Sequence, residues 1–425
     1  MRFWEKFGPG FLLAATSIGA SHLVLSPQAG ALFQYHLLWL VLVCHLVKYP
    51  AFESGPRYAA ATGRNLLQGY YETKGPKGWA VYIFLVSTIL QGIGVLAGVV
   101  SVSGCVIWTW TGLFSTKVIS IILLAAIVFL LFEGGFSWMD NINKVMMTIL
   151  ALATILAFTA SPPPLGRSLQ GLLVPSIPGG SILLVAAILG WMPTGIDVSV
   201  WHSFWSLEKF KELGGSREPP SSISSTTRKR LSISLMDMRA GYVLSLLTGI
   251  MFLCLGAVHL QGRGAELKGV QFAQAISDAY SAILGRWMHH VFMLTAFFAM
   301  FSTSYTVVDG FSRSFSEAMA VLKPGTLGQA NVKKKTYIAF VLGSALFAVV
   351  TLLLVGNPVT LVTAAAMISL AAAPFLYGLN LHCIKRDISD PHMRPGRLTM
   401  AIGWFGTVFM LAALGTTFYV KVVLK

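Results

Sequence analysis

The stretch SIGASH, residues 17–22, sets Gly19, Ala20, Ser21 and His22 inside a long apolar run. A second stretch, WMPTGIDVSVWHS, sets Met192, Pro193, Thr194, Gly195 and Asp197 inside another. Proline removes a backbone donor and glycine weakens a helix. In a bilayer the backbone groups freed in this way must find protein, water or a ligand. Hydroxyls from Ser21, Thr194 and Ser199 lie beside both breaks. His22 adds a ring that donates when neutral and carries charge when protonated. Half-helix N-termini at such breaks suit an anion. The chemistry available is therefore the binding of a small ion.

Asp197 lies two residues past the second break. A carboxylate inside a membrane is costly unless it is paired, protonated or bound to a cation. Three roles compete for it: proton carrier, Na⁺ ligand, or structural partner of Lys48 or His202. His22 has a plainer alternative, a bond to a backbone carbonyl. Ser302, Thr303 and Ser304 form a hydroxyl cluster further on, of a kind that often only bonds between packed membrane helices.

These residues must be positioned by membrane helices. The 425-residue chain is 55% hydrophobic and 11% charged, against about 25% charged in soluble domains. Apolar runs near the length that crosses a bilayer recur throughout, which predicts an all-α polytopic membrane protein. The runs are continuous, not alternating, which excludes a β-barrel. About eleven spans are expected, near 9–34, 37–57, 79–106, 117–132, 142–160, 180–206, 240–260, 287–308, 337–355, 358–382 and 398–421. The net charge of +15 does not indicate nucleic acid, because most of the 31 Lys and Arg residues fall in alternate loops. That bias places the N-terminus, with Arg2 and Lys6, in the cytoplasm of a multi-pass protein of the cell membrane. The long polar loop SLEKFKELGGSREPPSSISSTTRKRLSISLMD is inner and Ser- and Pro-rich. Glu53 and Arg57, four apart, suit an ion pair. The four cysteines show no CxxC pairing and read as buried thiols. His289 and His290 read as interfacial.

The two breaks lie five spans apart. Matched interrupted spans point to a 5+5 inverted repeat with its site at the midplane. Repeat one covers about 9–160, repeat two about 180–382, and an extra span about 398–421, all in one transmembrane transport domain, 1–425. An enzyme is not expected: there is no HExxH, no close pair of intramembrane carboxylates and no P-loop. Without an ATP site, transport uses an ion gradient or runs passively. No cofactor is expected, apart from Na⁺ as a coupling ion; the partners are a small inorganic ion and the lipid bilayer.

GPGFLLAATSIGASHLVLSPQAGA resembles the first span of the natural resistance-associated macrophage protein (NRAMP) family, proton-coupled transporters of divalent transition metals. The resemblance continues in KYPAFESGPRYAAATG, LLVPSIPGGSILLVAAILGWMP, FSTSYTVVDGFSRSF and GNPVTLVTAAAMISLAAAPF, over most of the chain. It implies the leucine-transporter-type fold with broken first and sixth spans. The wider superfamily often holds Na⁺ between first-span carbonyls and eighth-span hydroxyls, which would assign Ser302 and Thr303 to a coupling ion. The departures are chemical. The family's Asp-Pro-Gly-Asn, whose Asp and Asn bind metal, is replaced by Gly19, Ala20, Ser21 and His22. Its Met-Pro-His-Asn retains Met192 and Pro193 but has Thr194 and Gly195. Its third-span acids are gone: Pro76 to Phe132 contains no Asp or Glu.

A divalent ion in a site without a ligand carboxylate leaves charge uncompensated in low dielectric. The expected site is therefore Gly19, Ala20, Ser21, His22, Met192, Thr194 and Gly195, holding a small inorganic anion such as bicarbonate. Coupling to Na⁺ or H⁺ would use Asp197, Ser302 and Thr303. The alternative is a proton-coupled divalent metal transporter (Mn²⁺, Mg²⁺ or Fe²⁺) with an altered site, to which His22 and Met192 would offer nitrogen and sulfur. A non-transporting membrane sensor is the further alternative.

Overall fold

The structure, a computed structural model, describes residues 13, 16–133, 136–212, 225–262, 270–355 and 357–422. Arg2, Lys6 and the middle of the long polar loop lie outside them. Each predicted apolar run is a helix or a broken helix, and no strand occurs among the described residues. The second span is Leu38–Thr62, the third Trp79–Thr111 and the fourth Thr116–Glu133. The fifth, Phe136–Ala160, turns sharply into Leu165–Leu173, the bend between its last apolar stretch and that helix being 119°. Ile182–Trp191 and Val198–Glu212 form the sixth. Ser225–His259, Met288–Leu322, Ala330–Leu354, Pro358–Asp387 and Arg397–Val422 are the seventh to eleventh.

Among the described residues, seven of these helices are long and apolar enough to cross a membrane by length and composition alone, or eight if the bent fifth is counted as one span. The others fall short for physical reasons. The inner half of the second span carries Lys48, Glu53 and Arg57. The sixth is split, and its first half has only 10 residues. Both features belong to helices whose polar groups are satisfied by neighbours instead of lipid.

The spans pack as two bodies joined by one continuous core and by the tenth span, which meets the second and the first half of the sixth. The first packs along the seventh, and the second along the seventh and the second half of the sixth. The third packs against the fourth, eighth, ninth and tenth, and the eighth also meets the ninth. A separate apolar cluster, including Leu96, Val100, Leu124, Val308, Val341 and Leu352, consolidates this second body. Burial follows position: the most apolar stretch of the eighth span is 78% buried, that of the eleventh only 17%. The eighth is thus a central post and the eleventh a lipid-facing flank.

The first and seventh spans meet backbone to backbone. A Cβ added to Gly30 would lie 2.0 Å from the Leu253 carbonyl oxygen, and one on Gly256 would lie 2.3 Å from that of Pro27. Small residues permit this approach in membrane helices, where dispersion and packing drive association. The expected Glu53–Arg57 ion pair forms, fully inside the protein, and Arg57 Nη1 also donates to the Met393 carbonyl at 2.6 Å. All four cysteines are free and buried.

Candidate functional site

The sixth span leaves helical geometry after Trp191 and regains it at Val198. Met192 N–H still bonds the Ile188 carbonyl, and regular bonding resumes when Val198 N–H reaches the Gly195 carbonyl at 3.2 Å. The intervening loop turns one helix end of each sign toward the middle of the protein: carbonyls of Ile182–Trp191 and N–H groups of Val198–Glu212. Asp197 immediately precedes the second half, where a carboxylate is favoured by the helix N-terminus.

The first span is interrupted more mildly. A turn at Ile18 and Gly19 leads into a π turn, Ser21–Leu25, and then Ser26–Phe33. The N–H groups of His22 and Leu23 both bond the Gly19 carbonyl, at 3.1 and 2.8 Å. These two N–H groups at the break are thus bonded within the span.

A small central cavity lies between the two interruptions. Its walls include Ala20 and Ser21 from the first span, Thr194, Gly195 and Asp197 from the sixth, and Thr303 from the eighth. It offers a water-sized guest about 40 Å³ of free movement, the scale of a small ion. The other sequence candidates stand behind or beside this wall. Gly19 packs against Thr303, where an added Cβ would lie 2.5 Å from the hydroxyl oxygen. Met192 is fully buried. Ser302 does not line the cavity, and its carbonyl accepts from Thr306. His22 points away: its Nε2 lies 2.8 Å from the Ser245 carbonyl of the seventh span, and its Nδ1 2.8 Å from Ser21 Oγ. Ser199, counted among the hydroxyl donors, gives its proton to the Ile196 carbonyl and receives one from Asn380.

Gly195 has a steric reason. A Cβ there would lie 2.3 Å from Asp197 Oδ1 and 2.7 Å from Ser369 Oγ. The Asp197 carboxylate folds over the glycine and occupies the place of a side chain. Of the partners expected for Asp197, His202 does not serve: both its ring nitrogens are buried without a hydrogen bond. Gln91 of the third span faces the carboxylate across the cavity wall.

Lys48 supplies the site's second charge. Its Nζ is fully buried and donates to the Gly190 carbonyl at 3.1 Å and the Thr194 carbonyl at 3.3 Å. It thus closes the negative end of the first sixth-span half. Asp197 is its electrostatic counterpart. Three further wall residues, Gln91, Trp191 and Trp201, were not singled out from sequence. Gln91 carried a usable signal, being the sole amide or charged side chain in Trp79–Thr111.

Among the described residues, no three His, Cys, Asp or Glu side chains converge as a metal-ligand group would. The cavity's ionisable chemistry is one carboxylate and, behind the Thr194 carbonyl, one ammonium.

Relatives place this arrangement. The chain is 26% identical over 405 residues to an uncharacterized protein of Pasteurella multocida, an alignment spanning 93% of this chain and 88% of that one. It is 27% identical over 192 residues to the divalent metal cation transporter MntH of Klebsiella pneumoniae, covering 43% of this chain and 44% of the relative. The fold superposes on the manganese transporter of Eremococcus coleocola with a TM-score of 0.75 at 15% identity, covering 99% of this chain and 89% of that one. It also superposes on a nucleobase-cation-symport-1 family transporter in a closed conformation, with a TM-score of 0.55 at 15% identity over 97% and 93% of the two chains. These likenesses establish the leucine-transporter-type fold of the spans described above. The family model for natural resistance-associated macrophage protein-like (Nramp) proteins matches residues 10–420, and this chain belongs to that family of membrane transporters.

Proposed function

We propose that this protein is a secondary active transporter of a small inorganic anion such as bicarbonate, in the cell membrane with its N-terminus in the cytoplasm. The observation that carries this reading is Lys48. A buried ammonium behind the Thr194 carbonyl repels a divalent cation in the cavity and attracts an anion. The N-terminal end of Val198–Glu212 adds positive potential from the other side. Thr194 lines the cavity where a hydroxyl donor is needed, and Ser21 lines it with a hydroxyl that donates to the Ser17 carbonyl. Asp197 balances Lys48 when the site is empty and couples anion entry to H⁺ or Na⁺. For the Na⁺ case, Thr303 rather than Ser302 stands at the cavity wall.

The second reading, divalent metal transport, is favoured by family membership and by the names of the relatives. On this chain it would rely on one carboxylate already opposed by a lysine.

One experiment separates the two. Proteoliposomes under an imposed pH gradient are tested for Mn²⁺ entry with a trapped metal-quenched dye, and for uptake of labelled bicarbonate with and without Na⁺. Bicarbonate uptake without Mn²⁺ entry is the expected result. Robust Mn²⁺ entry overturns the anion reading.

A further inference from the structure

Behind the cavity wall, two buried histidines are joined through one serine. His22 Nε2 lies 3.0 Å from Ser245 Oγ, and Ser245 Oγ lies 3.1 Å from His45 Nε2 of the second span. Two carbonyls fix both tautomers. His22 Nε2 is 2.8 Å from the Ser245 carbonyl and must carry a hydrogen. His45 Nδ1 is 2.8 Å from the Val41 carbonyl and must carry one too. The remaining lone pairs are then His22 Nδ1, facing Ser21 Oγ, and His45 Nε2, facing Ser245 Oγ. The donors of His22 and Ser245 therefore point the same way, toward His45; the Ser21 hydroxyl donates to the Ser17 carbonyl at 2.7 Å and must turn to His22 Nδ1, 2.8 Å away, to pass its proton. Ser21 lines the cavity, whereas His45 is sealed within the protein.

We infer that this chain is a proton-binding site in which a proton from the cavity comes to rest on His45. The transfer balances without any other reactant. Ser21 passes its hydroxyl proton to His22 Nδ1 and is reprotonated from the cavity. His22 gives its Nε2 proton to Ser245 Oγ, and Ser245 gives its own to His45 Nε2. His22 ends neutral in the other tautomer, and His45 ends as imidazolium. The Ser245 carbonyl then faces a lone pair, which favours return of the proton.

The ionisable groups around the pair tie it to the cavity. His22 meets Ser21 of its own span, whose hydroxyl donates to the Ser17 carbonyl, and Ser245 and Gly249 of the seventh. His45 meets Tyr242 of the seventh span, whose hydroxyl donates to the His45 carbonyl and whose ring stands edge-on at 5.3 Å. Tyr49 packs beyond Tyr242, and Cys44 lies beside Lys48. Lys48 is the charged neighbour, three residues along the same helix and so on the same side. Two positive charges there repel each other. An anion that neutralises Lys48 from the cavity makes room for the proton on His45. The site itself stands on the hydrogen-bond chain, and this coupling rests on the anion reading above.

The test uses the full-length protein in lipid nanodiscs, labelled with ¹⁵N at histidine. Acidification should convert His45 Nε2 from an unprotonated to a protonated signal. Ser245→Ala should abolish that conversion, and Ser245→Thr, which keeps a hydroxyl, should restore it. A His45 that stays neutral throughout, or titrates unchanged in Ser245→Ala, overturns the proton site. In proteoliposomes, His45→Gln should make bicarbonate entry indifferent to an imposed pH gradient; entry that keeps the wild-type gradient dependence overturns the coupling. If the wild type moves no bicarbonate, the anion reading fails, and the nanodisc titration still decides the proton site.

Discussion

Lys48 Nζ stands 3.3 Å from the Thr194 carbonyl oxygen, so an ammonium borne by the second span closes the interruption of the sixth. The positive charge next to the cavity is thereby set by a residue that does not line it. Replacing it with Met removes charge-assisted bonds worth about 1.5–3 kcal/mol each and leaves Asp197 without its counterpart. Lys48→Met should abolish bicarbonate uptake and lower the thermal unfolding temperature. Lys48→Met combined with Asp197→Asn should recover part of the stability and none of the uptake. Stability is followed by a thermal-shift assay in detergent and transport by labelled uptake.

Asp197→Asn keeps the shape of the side chain and removes its charge. Uptake against a concentration gradient should disappear, while the purified protein remains monodisperse on a sizing column. Accumulation equal to wild type in that variant rejects a coupling role for Asp197.

Gly195→Ala places a methyl group where the Asp197 carboxylate and the Ser369 hydroxyl now sit. Both must move, the carboxylate by more. Overpacking of this kind costs about 1–3 kcal/mol. Uptake should fall more than stability, because the displaced group is a charged wall residue. A variant with wild-type uptake would mean that the Asp197 position is immaterial to transport.

Gly30→Ala is the structural counterpart. It collides with backbone, not with a movable side chain, because the Leu253 carbonyl oxygen lies 2.0 Å from the new atom. The first and seventh spans must separate, and the unfolding temperature should drop sharply. Gly256→Ala acts on the same seam, so the double variant should cost less than the sum of the two. Strict additivity in the thermal-shift assay would show that the two glycines do not share one contact.

The spans, the two interruptions and the Glu53–Arg57 pair are legible in the sequence because each rests on local chemistry: apolar length, Pro and Gly within apolar runs, or four-residue spacing. The direction in which His22 points is not. Four consecutive residues, Gly19 to His22, do not share a face, since each helical step turns the side chain by roughly 100°. The π turn at Ser21–Leu25 shifts that register by a further residue. Ser21 therefore reaches the cavity wall, and His22 reaches the seventh span. Lys48 is visible in the sequence as a partner for Asp197. Its two carbonyl acceptors on the sixth span are not, because they depend on how the second span packs against the broken helix. Gln91 enters the site only through the packing of the third span behind it.

The glycine seam between the first and seventh spans also fixes how those two helices sit against each other. Gly30 and Gly256 lie along the same two helices as His22 and Ser245. Backbones in direct contact leave little slack for sliding, so His22, Ser245 and the Ser21 wall are held as a single piece. Thr303 of the eighth span meets Gly19 from the opposite side of the cavity. The cavity wall is thus fixed by backbone contact behind Ser21 and rests on a single side-chain contact at Thr303.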